Sequence, residues 1–191
     1  MKKRLFLMGL MGFMGVMGAM AQVMDIPLNE SGGYEKKEVV EVAGATAADL
    51  YVRAMEALSD WRGPDGKAEA GLDFHDKDAG VVNYKGKFSL GYKKGFLGND
   101  LKRCANFILK VRCKDGKAQV TVTVPTVTAM AVKTGMRKDF SVKETLEMLE
   151  GLKGDRRERA IDTMNDLKET VDMLVVAMSN RLKNGSGDDD F

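Results

Sequence analysis

Val81-Val82-Asn83-Tyr84-Lys85-Gly86-Lys87-Phe88-Ser89-Leu90-Gly91-Tyr92-Lys93, residues 81–93, is the stretch that decides the fold. Val82, Tyr84, Phe88, Leu90 and Tyr92 share one parity; Asn83, Lys85, Lys87, Ser89 and Lys93 share the other. Successive side chains of a strand point to opposite faces, so this alternation specifies a strand with one apolar and one wet face. Gly91 and Gly95 mark breaks, with a bend or hairpin near Lys93-Lys94-Gly95. Leu101 to Cys113 repeats the pattern, with Phe107, Leu109, Val111 and Cys113 inward and Asn106, Ile108, Lys110 and Arg112 outward. Lys114-Asp115-Gly116-Lys117 then supplies the Asp-Gly of a tight hairpin. Its second arm is Ala118 to Val124, with Val120, Val122 and Val124 inward against Gln119, Thr121 and Thr123, and Pro125 is expected to end it.

Helical signals lie on either side. Thr46 with Asp49 forms a box-like helix start, followed by Leu50, Ala54 and Leu58 until Trp61-Arg62-Gly63-Pro64-Asp65-Gly66 stops it. Ser141 and Glu144 make a capping box for a short helix to Leu152. From about Asp155 to Lys183, Ile161, Met164, Leu167, Val171, Leu174, Met178 and Leu182 recur at three- and four-residue steps. Amphipathic helices and strands with a single apolar face predict an α+β fold, an antiparallel sheet with helices packed on one face and water on the other. Residues 22–33 read as a flexible arm, 34–133 as the α+β domain, 134–183 as a helical segment on the same core and 184–191 as a disordered acidic tail.

The first residues read as an address. Lys2, Lys3 and Arg4 precede an apolar run from Leu5 to about Met17, and Ala19-Met20-Ala21 offers small residues for cleavage between Ala21 and Gln22. The alternative is an uncleaved interfacial anchor, since the run falls short of the roughly 20 residues a spanning helix needs. A cleaved signal peptide implies a periplasmic or secreted protein with no transmembrane segment after processing. It also changes the composition. The net charge of +2 becomes about −1 once those basic residues leave, and nearly half of the methionines leave with them. A near-neutral chain is a poor ligand for nucleic acid.

Cys104 and Cys113 lie on what reads as one strand, from Leu101 to Cys113. Nine strand residues span roughly 30 Å, whereas bridged Cα atoms lie within about 7 Å. Two free thiols are therefore expected, the alternative being a bridge made by a fold-back near Asn106.

Val39-Val40-Glu41-Val42, the segment Ala47 to Trp61 around Leu50-Tyr51-Val52-Arg53-Ala54, Asp76-Lys77-Asp78-Ala79-Gly80-Val81-Val82, Gly86, Val111 and the Lys114–Lys117 turn carry a resemblance. Together with the signal peptide they resemble a Bacteroides-type secreted domain of unknown function with a TATA-box-binding-protein-like (TBP-like) fold. In that family the turn leads into an aromatic-rich strand, whereas here Ala118-Gln119-Val120-Thr121 follows. The resemblance implies a fold and an envelope setting, and neither an activity nor DNA binding.

No catalytic constellation stands out. Gly86, Gly91, Gly95 and Gly98 lack the Gly-Lys-Ser/Thr of a phosphate loop and sit among strands, as turn and bulge glycines do. His75, the single histidine, lies beside Asp73, Asp76 and Asp78; Asp73 and His75 would share a strand face and could hold a cation, but a solvated strand edge is the ordinary reading. No metal or cofactor is expected. The candidate binding residues are those of the wet face: Lys85, Lys87 and Lys93 on one strand, Lys110 and Arg112 on the next, with Asn83, Asn106, Gln119 and Thr121 beside them. Ten basic residues stand against Asp100 and Asp115 alone between Lys85 and Lys117. Such a face suits an anionic glycan, a lipid headgroup or an acidic envelope protein, and equally a solvated face whose lysines discourage aggregation. The expected function is a non-enzymatic binding module of the bacterial envelope. The alternatives are an assembly protein docking through the C-terminal helix and a hydrolase without a recognisable motif.

Overall fold

The computed structural model describes residues 25–59, 69–93 and 100–185. The signal-like segment with Ala21 and Gln22, the Trp61–Gly66 helix stop, Gly95 and Gly98, and the tail from residue 186 lie outside the described residues. In chain order the elements are β1 (Tyr34–Glu41), α1 (Ala47–Ser59), β2 (Glu69–Asp76), β3 (Val81–Lys93), β4 (Leu101–Lys114), β5 (Lys117–Ala131), β6 (Arg137–Ser141), α2 (Val142–Gly151) and α3 (Gly154–Asn184). The strands form one antiparallel sheet in the order β1-β5-β4-β3-β2. β4 runs beside β5 on one side, while β1 and β6 follow one another along the other.

One sheet face is apolar. Val82, Phe88, Phe107, Leu109, Val111, Val120 and Val122 are buried in a single cluster with Leu50 and Ala54 of α1, Val142 of α2, and Met164, Leu167, Val171 and Leu182 of α3. Removing such a side chain from water stabilises by about 1.5–3 kcal/mol, so this face requires cover. The rings of Phe88 and Phe107 stack across β3 and β4 with centroids 5.4 Å apart. The α+β fold with all three helices on one side is as the alternation predicts.

Helix ends follow local chemistry. Asp49 accepts from Thr46 N at 2.9 Å while Thr46 Oγ1 accepts from Asp49 N at 3.1 Å, and Ser141 and Glu144 form the reciprocal capping box of α2. At the far end of α3, the Arg53 guanidinium donates to the Leu182 carbonyl at 2.9 Å. A cation there satisfies an orphan acceptor and complements the negative end of the helix dipole.

Several expectations need correction. β5 does not end at Pro125 but continues to Ala131. Pro125 falls between Val124, the last partner of β1, and Thr126, the first partner of β6. It also falls at a register shift against β4, so its missing N–H leaves no ladder bond unmade. The arm of 22–33 is fastened where it is described. Ile26 is buried, Asn29 Oδ1 accepts from Gly33 N at 2.9 Å, and Gly32 O accepts from Lys143 N at 3.0 Å. The segment 134–183 begins with strand β6 rather than with helix.

A bulge accounts for another difference. The β3–β4 register shifts between Ser89 and Tyr92, with Gly91 at φ 76°, a backbone that favours glycine. Beyond it the two faces exchange, so Tyr92 is 63% exposed rather than inward. Opposite the bulge sits Arg103, on the apolar parity of β4 and 6% exposed. Its guanidinium donates to Thr163 Oγ1 at 2.7 Å, to Asp166 at 2.8 Å and to the carbonyl of Leu90 at 2.5 Å. It thereby ties the bulge to α3.

Removing Arg103 strands buried acceptors and uncovers apolar neighbours. Arg103→Ala is expected to lower unfolding stability by about 2 kcal/mol, less than for a fully buried pair because Asp166 is 41% exposed. A urea midpoint equal to that of the unsubstituted protein would refute the tie. Burial, helped by the charge of Asp172, pushes the Tyr34 phenol up from 10.0 to about 12. The unfolded chain releases this proton first, so the contribution is complete below pH 10 and is lost as pH rises toward about 12. Tyr34→Phe should flatten that part of the alkaline stability profile; an unchanged slope would contradict the assignment.

Candidate functional site: the open face of the sheet

The face away from the helices carries Asn83, Lys85 and Lys87 from β3, and Cys104, Asn106, Ile108, Lys110 and Arg112 from β4. β5 contributes Gln119, Thr121 and Thr123, and β1 contributes Glu35, Lys37 and Val39. Cross-strand pairing sets these in rows. Asn83, Lys110, Thr121 and Lys37 form one, and Val81, Arg112, Gln119 and Val39 the next. Eight of the nine expected binding residues therefore do share a face.

Lys93 does not. The Gly91 bulge turns it to the helix side, where its ammonium meets Asp162 of α3 at 2.8 Å. The shift between Leu72 and Phe74 in β2 likewise separates Asp73 from His75. Asp73 reaches Lys85 at 3.0 Å on the open face, whereas His75 Nδ1 lies 2.8 Å from the Tyr51 hydroxyl of α1. The strand face that Asp73 and His75 would share in a regular strand is therefore not formed. Among the described residues no group of three or more His, Cys, Asp or Glu is placed to hold a metal ion.

The face is less uniformly basic than its sequence. Lys37 pairs with Glu35 at 2.6 Å and Arg137 of β6 with Asp139 at 3.0 Å. Hydrogen bonds from Arg137 and from the Thr128 hydroxyl, with the charges of Arg137 and Lys87, hold the Asp139 carboxyl below the usual carboxylate range. Asn106 donates to Thr126 Oγ1 at 2.9 Å. Asn83 Oδ1 is shielded from water without a hydrogen-bond partner among the described residues. Lys110 and Arg112 meet no carboxylate within ion-pair distance among the described residues. Neither do Lys114 and Lys117, which continue the same parity to the end of the hairpin. Arg112, Lys114, Lys117, Gln119 and Val39 line a depression of about 290 Å³.

Lys114 and Lys117 were legible only as turn residues. Their signal was the alternation itself, since Lys114 shares the parity of Arg112, and Lys117 that of Gln119. Arg103 was legible in the same way, as a charge on the parity of Phe107 and Leu109.

Cys104 and Cys113 are both free thiols, on opposite faces of β4. Cys113 is buried, and burial pushes its thiol up to about 11. A thiol reagent at neutral pH should modify Cys104 first, with Cys113 following only on unfolding. Equal rates for both thiols in the native protein would contradict this placement.

No family model and no curated protein matches the chain. Two solved structures are similar in fold. A DUF4468 family protein from Bacteroides ovatus ATCC 8483 matches with a TM-score of 0.54 at 16% identity, over 80% of this chain and 90% of that one. A TBP-like protein from Parabacteroides distasonis ATCC 8503 matches with a TM-score of 0.53 at 11% identity, over 81% of this chain and 97% of that one. At these identities the likeness is one of fold: the open antiparallel sheet backed by helices has a TBP-like α+β fold.

Proposed function

We propose that the chain is a periplasmic or secreted, non-enzymatic binding module of the bacterial envelope that holds an anionic ligand on its open sheet face. The signal-like first twenty-one residues support the compartment. No described helix is long and apolar enough to cross a membrane. The observation that carries the ligand reading is the division of the cations. Lys36 and Lys93 on the helix side are neutralised by Asp172 and Asp162, and Arg103 by Asp166. On the open face Lys110 and Arg112 keep their charge unpaired among the described residues, beside the hydrogen-bonding side chains of Thr121 and Gln119. Unneutralised cations set among amides and hydroxyls attract and orient an anion.

A second reading rests on α3. Met173 and Val176 are each 54% exposed and lie next to Ala177 on its outer face, a small apolar patch of the kind that docks a partner in an assembly. The main stripe of that helix, from Met164 to Leu182, is used up in the core.

Retention of the processed protein on an anionic matrix separates the two. It should fall with added salt and should be largely lost in Lys85→Glu/Lys110→Glu, with the folded state retained by circular dichroism. Retention that is insensitive to both salt and substitution ends the anionic-ligand reading. Salt-independent self-association abolished by Val176→Glu would favour the second.

A further inference from the structure

Resting on the reading above, we infer that the specific site on the open face is the depression at the β4–β5 hairpin, and that it takes a phosphomonoester group. The hairpin register sets Lys114 directly across from Lys117. Like charges facing one another on neighbouring strands destabilise a sheet, and here Arg112 adds a third cation one pleat away on the same face. Strand geometry places these positions about 5 Å apart across the ladder and about 7 Å apart along it.

The surrounding carboxylates leave that charge unneutralised. Asp115, between the two lysines, accepts the Ala47 N–H at 2.8 Å and so is directed to the start of α1. Glu41 faces Lys117 across the β1–β5 ladder but forms no ion pair with it. Three cations around one depression therefore wait for an anion from outside.

The chemistry narrows the class. A doubly charged tetrahedral group offers oxygens to a planar guanidinium fork and to two point-charge ammoniums at once. A single carboxylate satisfies the fork and leaves the lysines repelling each other. The volume of about 290 Å³ is at the small end of ligand sites, enough for a phosphate and an adjoining sugar or glycerol. Gln119 supplies an amide for a neighbouring hydroxyl, and Val39, 53% exposed, forms an apolar wall. Such a phosphate is carried either by a soluble phosphorylated sugar or by a lipid headgroup.

The test is an amide-resolved NMR titration of the purified protein with glucose 1-phosphate and, in parallel, with glucuronate. Saturable shifts centred on Val39 and Arg112–Gln119 are expected for the phosphate and not for the carboxylate at the same concentration. Arg112→Gln and Lys117→Gln should each weaken binding by about tenfold. Arg156→Gln, on the exposed first turn of α3, should leave it unchanged. Vesicles of phosphatidic acid in phosphatidylcholine give the second arm. Co-sedimentation that glucose 1-phosphate competes away assigns the lipid source, and phosphate binding without co-sedimentation assigns the soluble one. Shifts that are equal for both sugars, or that survive Arg112→Gln and Lys117→Gln, overturn the inference. If they do so while Lys85→Glu/Lys110→Glu still abolishes matrix retention, the anionic-ligand reading stands without this site. If retention is also unaffected, both fall.

Discussion

The structure depends on covering one face of a single antiparallel sheet. Val82, Phe88, Leu109, Val120 and Val122 cannot be left in water, and α1 and α3 cover them from the same side. α3 has the length to do this because its buried positions recur from Met164 to Leu182. Polar ties then fix where it lies. Arg103 reaches Asp166 and Thr163, Lys36 reaches Asp172, and Arg53 holds the final carbonyls. These contacts add modest stability individually but select one seating of the helix among the many that apolar contact alone would permit.

Covering one face leaves the other to solvent, and the charge pattern follows that division. Lys36, Lys93 and Arg103 on the helix side have carboxylate partners, because an unpaired charge there would lose its hydration uncompensated. On the open face water solvates an unpaired ammonium at little cost, so Lys110, Arg112, Lys114 and Lys117 persist without partners among the described residues. The same physics that makes the fold also concentrates available positive charge at one end of one hairpin.

Parity made much of this legible from the residues alone. The inward set of β4 and the outward Lys110 and Arg112 follow from alternation without any knowledge of partners. Bulges are where the reading stopped. An extra residue exchanges the faces of everything beyond it, as happens to Tyr92 and Lys93 after Gly91 and to His75 after the Leu72–Phe74 shift. Whether an extra residue is accommodated depends on the neighbouring strand, which local pattern does not specify. Pro125 is the converse: it reads as a stop but is tolerated because the pairing of β5 with β1 stops on one side of it and that with β6 starts on the other. The pairing of β1 with β5, far apart in sequence, was not visible in either strand.

The central claim is that Lys36, Lys93 and Arg103 are neutralised on the helix side of this sheet while Lys110, Arg112, Lys114 and Lys117 on the open face keep their charge available. Pulse acetylation of the native protein, with the rate at each lysine read by mass spectrometry, tests it most directly. The account requires Lys110, Lys114 and Lys117 to react several-fold faster than Lys36 and Lys93, whose ammoniums are held by Asp172 and Asp162. Equal rates in the two groups, or slower reaction at the hairpin lysines, would contradict it.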